Sequence, residues 1–234
     1  MNFKFKTKPY KHQLKALEIS YLKKSFALLM DMGTGKSKVL IDTIAYLDAT
    51  DEINSVLILA PKGVYKNWVG KEIPAHLPDS IEHKVAYWAS PLTNKHKDAI
   101  RDIWRPDKYL HIFVMNIEAL STGKAEEVAT KFIAAHGGST LIAIDESTVI
   151  KNHKARRSKA AMRLSKRCKY KRILTGSPIT KTPLDLFSQF QFLGEELLGF
   201  KSYYAFCARY ADMIKRSASG GGHQYNQILG FRNL

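Results

Sequence analysis

Cysteine is nearly absent from this chain. Cys168 and Cys207 are the two in 234 residues, too few for a disulfide scaffold and too far apart for a zinc site. They read as reduced thiols of a cytosolic protein. Long apolar runs are also missing, and no stretch approaches the roughly 18 residues of a membrane span. The start, residues 1–6, is basic, but no apolar segment follows it, so no secretory signal is expected. His12, His83 and His111 show no ligand spacing and are assigned no chemistry. No internal repeat is visible, nor any interdomain linker before residue 217. Negative charge is scarce: 21 Asp and Glu face 37 Lys and Arg, a formal net charge of +16. Such an excess favours polyanionic partners and says nothing about fold.

What is present is a regular alternation of helices and strands, long enough to bury a sizeable core. A helix is expected over 10–22, with Leu14, Leu17 and Tyr21 at helical spacing. Strand 25–30 leads through a glycine turn into a helix over 35–47. Strand 56–60 is stopped by Pro61 and followed by a helix over 64–73. A strand over 83–88 and a helix over 92–104 come next, then strand 111–115, helix 124–135 and strand 141–145. A basic helix precedes a short strand at 172–174, and a helix over 184–193 closes the regular pattern. Residues 217–222, Ser-Ala-Ser-Gly-Gly-Gly, read as a flexible loop or hairpin tip. Strands apolar on both faces, alternating with helices, predict a mainly parallel sheet covered on both sides. Ligands of such sheets bind beyond the carboxyl ends of the strands.

Two of those strand ends carry chemistry. After strand 25–30 comes Met32-Gly33-Thr34-Gly35-Lys36-Ser37. The amides of Gly33, Thr34, Gly35 and the helix start point at an anion, Lys36 adds positive charge, and Ser37 offers a hydroxyl to Mg²⁺. The strict phosphate-loop pattern is broken, because Met30 stands where its first glycine belongs, and an ordinary tight turn could carry the same string. Strand 141–145 ends in Asp145-Glu146, which suits a metal-holding Asp beside a water-activating Glu. Two acids could also mark a solvated strand end. Both halves in one chain, in this order, point to ATP and Mg²⁺.

The cations are clustered. Between residues 151 and 172, eleven of 22 residues are Lys or Arg and none is acidic. A weaker cluster holds Lys4, Lys6, Lys8, Lys11, Lys15, Lys23 and Lys24. A solvated face is the plain reading of such a run; its position directly after the acid pair favours nucleic-acid contact instead.

These residues resemble the first RecA-like domain of superfamily 2 helicases and translocases, most closely the Swi/Snf-like branch. Residues 32–37 resemble motif I. Leu59-Ala60-Pro61-Lys62 with Asn67-Trp68 and Glu72 resembles motif Ia. Asp145-Glu146-Ser147-Thr148, with Ile150-Lys151-Asn152 and Ser158-Lys159, resembles motif II and its extension. Leu174-Thr175-Gly176-Ser177-Pro178 resembles motif III, trailed by Pro183-Leu184-Asp185-Leu186. Gln13 stands 23 residues before Lys36, like the adenine-reading Gln of the family's Q-motif. The reading DEST, rather than DEAH or DEAD, sets the chain outside those two subgroups and leaves the Asp and Glu roles intact.

The resemblance implies a single RecA-like α/β domain over 1–234, with a Q-motif-like N-terminal helix in 1–24. Segment 213–234 is expected to be flexible and to lead toward a second RecA-like domain, of which motifs V and VI are not found here. It implies Lys36 and Glu146 as catalytic groups and Gln13, Gly33, Thr34, Gly35, Lys36 and Ser37 around ATP. Ser37 and Asp145 would hold Mg²⁺, while Thr175 and Ser177 couple the γ-phosphate to domain movement. Lys151, Lys154, Arg156, Arg157 and Lys159 are the nucleic-acid candidates. Trp68 and Trp104 read as packing residues. Double-stranded DNA is favoured over RNA as partner, contacted through its backbone. The protein is expected to be a monomer away from membranes: cytoplasmic if bacterial or viral, nuclear if eukaryotic. The rivals are an ATP- and nucleic-acid-binding scaffold without turnover, and a small-metabolite kinase, which the acid pair and the charge disfavour.

Overall fold

The computed structural model describes residues 4–217 and 224–233. In chain order the main elements begin with α1 (Lys11–Ser20), β1 (Ser25–Leu29), α2 (Lys36–Ala49) and β2 (Ser55–Ala60). A split helix follows, α3 (Tyr65–Asn67) and α4 (Ile73–His76), then β3 (His83–Tyr87), α5 (Asn94–Asp102), β4 (Leu110–Asn116) and α6 (Gly123–Ala135). Next come β5 (Thr140–Asp145), α7 (Arg156–Ser165), β6 (Tyr170–Thr175), α8 (Leu186–Leu193), α9 (Glu195–Leu198), α10 (Tyr203–Tyr210), β7 (Ala211–Ser217) and β8 (Gln224–Phe231).

Six strands form one parallel sheet in the order β1-β6-β5-β2-β4-β3. Side chains alternate across the pleat, so each strand feeds two cores. Val56, Ile58, Ile112, Val114, Leu141 and Ala143 face α1, α2 and the split helix. Leu57, Leu59, Phe113, Met115, Ile142 and Ile144 face α5, α6, α7 and α8. This is the expected α/β architecture with helices on both faces. The two edge strands differ from the expectation of full burial: Leu29 on β1 is 45% exposed, because an edge strand has a neighbour on one side alone. No helix among the described residues is long and apolar enough to cross a membrane.

Two departures have local causes. The helix expected over 64–73 is interrupted by a π-helical turn, Trp68–Glu72, in which the Ile73 N–H reaches back to the Trp68 carbonyl. Pro74 opens α4. Its missing N–H and its ring forbid the normal bond to residue 70, and the preceding turn widens instead. Regular structure also does not close at residue 193. Leu184, Phe187, Phe206, Cys207 and Ala211 form a small satellite core, and β7 and β8 pair antiparallel beyond it. Of segment 213–234, residues 213–217 and 224–231 lie in these two strands. Apart from Ser217, the stretch read as a loop or hairpin tip lies outside the described residues.

Candidate nucleotide site

Three loops converge because their strands are neighbours. β6 lies between β1 and β5, so the loop after β6 sits between the glycine turn and the acid pair. The register places Leu29 beside Thr175 and Leu174 beside Asp145. The Met30 N–H donates to the Thr175 carbonyl at 3.3 Å.

The glycine turn is shaped by two left-handed residues, Gly33 (φ +76°) and Gly35 (φ +84°), the latter capping α2. A side chain is disfavoured in either conformation. At Gly35 an added Cβ would also lie 2.3 Å from Gln13 Nε2. Gln13 is buried and uses both ends of its amide. Oε1 accepts from the Tyr10 N–H at 3.0 Å, and Nε2 donates to the Thr34 carbonyl at 2.9 Å. His12 Nε2 lies 3.0 Å from the same carbonyl, so a residue assigned no chemistry from sequence joins the turn. Lys36 Nζ donates to the carbonyls of Met30 (2.9 Å) and Asp31 (3.1 Å). Ser37 follows in the first turn of α2, whose free amides and dipole favour an anion.

Across the site, Asp145 ends β5 and is held by a contact invisible in sequence. Trp68 is 1% exposed and donates its indole N–H to Asp145 Oδ2 at 3.0 Å. Trp68 therefore packs, as expected, and also aims the Asp145 carboxylate. Burial pushes the Asp145 carboxyl above its ordinary range, against the pull of the Trp68 and Glu146 N–H groups and of Lys36; Glu72 adds to the rise. Glu146 adopts φ +54°, a strained conformation for a residue with a side chain. Its carboxyl is raised by burial and then by the Asp145 charge, and is lowered by Lys36 and by a hydrogen bond with the Thr175 hydroxyl. Thr175 Oγ1 also accepts the Ser177 N–H at 3.2 Å. Thr175 is thus bonded to both neighbours, while the Ser177 side chain faces solvent.

Among the described residues no group of three or more His, Cys, Asp or Glu could cage a metal. Ser37 and Asp145 fit an ion of the Mg²⁺ kind, which keeps waters and phosphate oxygens and takes one or two protein ligands. Asp145 supplies a largely withdrawn carboxylate with one oxygen fixed by Trp68.

The basic run divides. Arg172 is fully buried and donates to the carbonyls of Ser20 (2.9 Å), Lys171 (2.8 Å) and Lys24 (3.3 Å). Arg163 makes a two-pronged bond to Glu126, Lys166 pairs with Glu195, and Lys169 pairs with Glu52. The first half stands differently. Lys154, Arg156 and Lys159 are exposed without an ion pair among the described residues. Lys151 bonds the Thr180 hydroxyl, and Arg157 Nε donates to the Val149 carbonyl at 2.8 Å, which ties it to the fold. Arg156, Lys159 and Arg163 line a groove of about 310 Å³ with Ser121, Gly123 and Glu126.

A six-stranded parallel sheet with a glycine turn, an acid pair and a Thr loop at adjacent strand ends defines a RecA-like nucleotide-binding domain. The SNF2-related domain family matches residues 12–221, and the chain belongs to that family. It is 26% identical over 198 residues to the chromatin-remodeling ATPase INO80 of Cryptococcus neoformans, covering 81% of this chain and 10% of that protein. A SWI/SNF-related matrix-associated actin-dependent regulator of chromatin subfamily A-like protein 1 homolog of Caenorhabditis elegans is 28% identical over 182 residues, 78% of this chain and 23% of that one. The Sulfolobus solfataricus SWI2/SNF2 ATPase core in complex with dsDNA superposes with a TM-score of 0.67 at 25% identity, covering 90% of this chain and 40% of that one. The chain thus spans between a tenth and a quarter of these two curated relatives.

Proposed function

We propose that the chain is the ATP-binding lobe of a DNA-dependent motor that tracks duplex DNA. The observation that carries this reading is the convergence of Lys36, Asp145, Glu146 and Thr175 at three adjacent strand ends. Lys36 leaves its two carbonyls for the β/γ-phosphates as they enter the glycine turn. Magnesium, when bound, would neutralise phosphate charge, with Ser37 and Asp145 as its protein ligands. Glu146 orients the attacking water and takes its proton; a carboxyl raised by burial is the better base for that task. Thr175 touches Glu146 and leads into Ser177, so a change at the γ-phosphate reaches the surface loop within two residues. Gln13 and His12 hold the turn from the other side, with Gln13 set to read adenine if its amide is released.

Duplex DNA is favoured because the solved relative from Sulfolobus is a complex with dsDNA and because the exposed cations Lys154, Arg156 and Lys159 suit phosphate contacts. A second RecA-like lobe closes the cleft in this reading and brings an arginine finger, worth about 10³–10⁵ in rate. Residues 1–234 alone should therefore bind nucleotide and turn over almost none. Such a motor belongs in the nucleus of a eukaryotic cell, or in the cytoplasm if bacterial or viral. Calorimetric titration tests the site: Lys36→Ala should stay folded and lose most affinity for ATP. Unchanged affinity would remove Lys36 from the site, and vigorous DNA-stimulated turnover by this chain as a monomer would refute the need for a second lobe.

A further inference from the structure

The ribbon formed by β7 and β8 is the one sheet of the described residues that packs on almost nothing. It is rooted firmly. Ala211 is buried, Phe231 packs on the satellite core, Arg232 Nη2 donates to the Ala208 carbonyl at 2.7 Å, and Asn233 Nδ2 donates to the Arg209 carbonyl at 2.8 Å. Arg232 also pairs with Asp212 at 3.3 Å. A register shift between Asp212 and Met213 then bends the ribbon away from its root. Beyond the bend, Met213, Lys215, Arg216, Gln224, Asn226, Gln227, Ile228 and Leu229 are all exposed. A two-stranded ribbon wet on both faces is marginally stable by itself, so a partner is needed to hold it.

The chemistry of the ribbon changes along its length. Apolar Met213, Ile228 and Leu229 lie near the root, whereas the outer half carries Lys215 and Arg216 on one strand and Gln224, Asn226 and Gln227 on the other. The register sets Lys215 opposite Asn226. From Met213 to Leu234 the sequence has no Asp or Glu, and neither Lys215 nor Arg216 has an ion pair among the described residues. The root adjoins the basic loop after β5. His153, between the candidate contacts Lys151 and Lys154, stacks on Tyr203 of α10 at 3.8 Å between ring centroids, and α10 runs directly into β7.

We infer that the β7–β8 ribbon is a second duplex-DNA contact, entering a groove and extending the cationic surface of residues 151–159. A two-stranded ribbon fits the major groove. The two cations meet phosphates, and the three amides meet groove edges. This rests on the DNA-motor reading above, and the experiment separates the two. Binding of a short blunt duplex is measured by fluorescence anisotropy at several salt concentrations, for the unaltered chain and two multiple variants. Lys215→Gln with Arg216→Gln should weaken binding about tenfold at low salt and lower the salt slope by about 1.8, two phosphates' worth. Gln224→Ala with Asn226→Ala and Gln227→Ala should weaken it a few-fold and leave the slope unchanged. These side chains are exposed and make no ion pair among the described residues, so thermal melting should match the parent. If the parent binds duplex and the Lys215/Arg216 variant keeps both affinity and slope, the ribbon is no DNA contact and the motor reading stands. If the parent does not bind duplex at all, both readings fall. A parent that prefers single strands, with equal losses in the variants, overturns groove entry.

Discussion

The strand-end edge and the two cationic surfaces are built on opposite rules. At the edge the long polar side chains already have internal partners: Lys36 rests on two carbonyls, Gln13 spans Tyr10 and Thr34, and Asp145 is held by Trp68. Lys154, Arg156 and Lys159, and Lys215 and Arg216 on the outer ribbon, stand in water without an ion pair among the described residues. On the proposed function, the difference follows from what each region must do. A site for a small anion has to fix groups within fractions of an ångström before the ligand arrives. A polymer backbone offers evenly spaced charge, and mobile cations can follow it without preset geometry. Arg172 tests where the border lies, since it belongs to the basic run by sequence and to the interior by structure.

Removing Arg172 should give the largest effect. Its guanidinium, lowered to about 10 by burial, links the end of α1, the turn before β1 and β6. Arg172→Met relieves the desolvation of a charge but removes the guanidinium's bonds to the carbonyls of Ser20, Lys24 and Lys171, and the lost charge no longer complements the α1 C-terminus. The three lost charge-assisted bonds outweigh the relief, and a loss of about 2–4 kcal/mol is expected in urea unfolding. Arg156→Gln, in the exposed half of the same run, should change stability by under about 0.5 kcal/mol. Similar losses in both would erase the division of the run.

Much of this was legible in the chain and some was not. The order of strands and helices, the glycine turn and the acid pair were readable because periodicity and punctuation report local structure directly. The aim of Trp68 was not, since it depends on a π turn caused by Pro74 six residues later, and a buried Trp looks the same with or without an acceptor. His12 was passed over for lack of metal spacing, although its neighbour Gln13 had been singled out. The run 151–172 looked uniform because charge counts cannot tell which cations meet Glu126, Glu195, Glu52 or backbone carbonyls. Residues 217–222 read as a loop or hairpin tip, but the strands that flank them are not legible, because exposed strands have no apolar alternation to read.

Trp68→Phe should have the middle effect and bears on the ordered side of the comparison. Phe keeps most of the buried ring and removes the N–H that fixes Asp145. Partners one step behind a metal ligand are worth about 10–100-fold in metal affinity. The variant should bind ADP without Mg²⁺ like the parent and lose about tenfold of the Mg²⁺-dependent gain, measured by paired titrations. Equal Mg²⁺ dependence would make Trp68 a packing residue and no more.

The smallest effect concerns a group that follows neither rule. Asp48, near the end of α2, is half-buried without an ion pair among the described residues, and burial, with the nearby Asp51 charge and against the weaker pull of His83, pushes its carboxyl up to about 6. Below the ordinary value of 3.8 both folded and unfolded chains hold the proton, and Asp48 contributes nothing. Between 3.8 and about 6 the unfolded chain has lost the proton while the folded chain keeps it, so stability falls as pH rises. Above that window the penalty is constant. Since Asp48 is partly exposed, solvent reduces the penalty to about 1 kcal/mol. Asp48→Asn should therefore stabilise the fold by that amount at pH 7 and leave it unchanged at pH 3, read from urea midpoints at the two pH values. A gain of equal size at both would trace the effect to helix propensity rather than charge. A loss at pH 7 would mean that Asp48 has a favourable partner, placing it with the engaged groups of the strand-end edge.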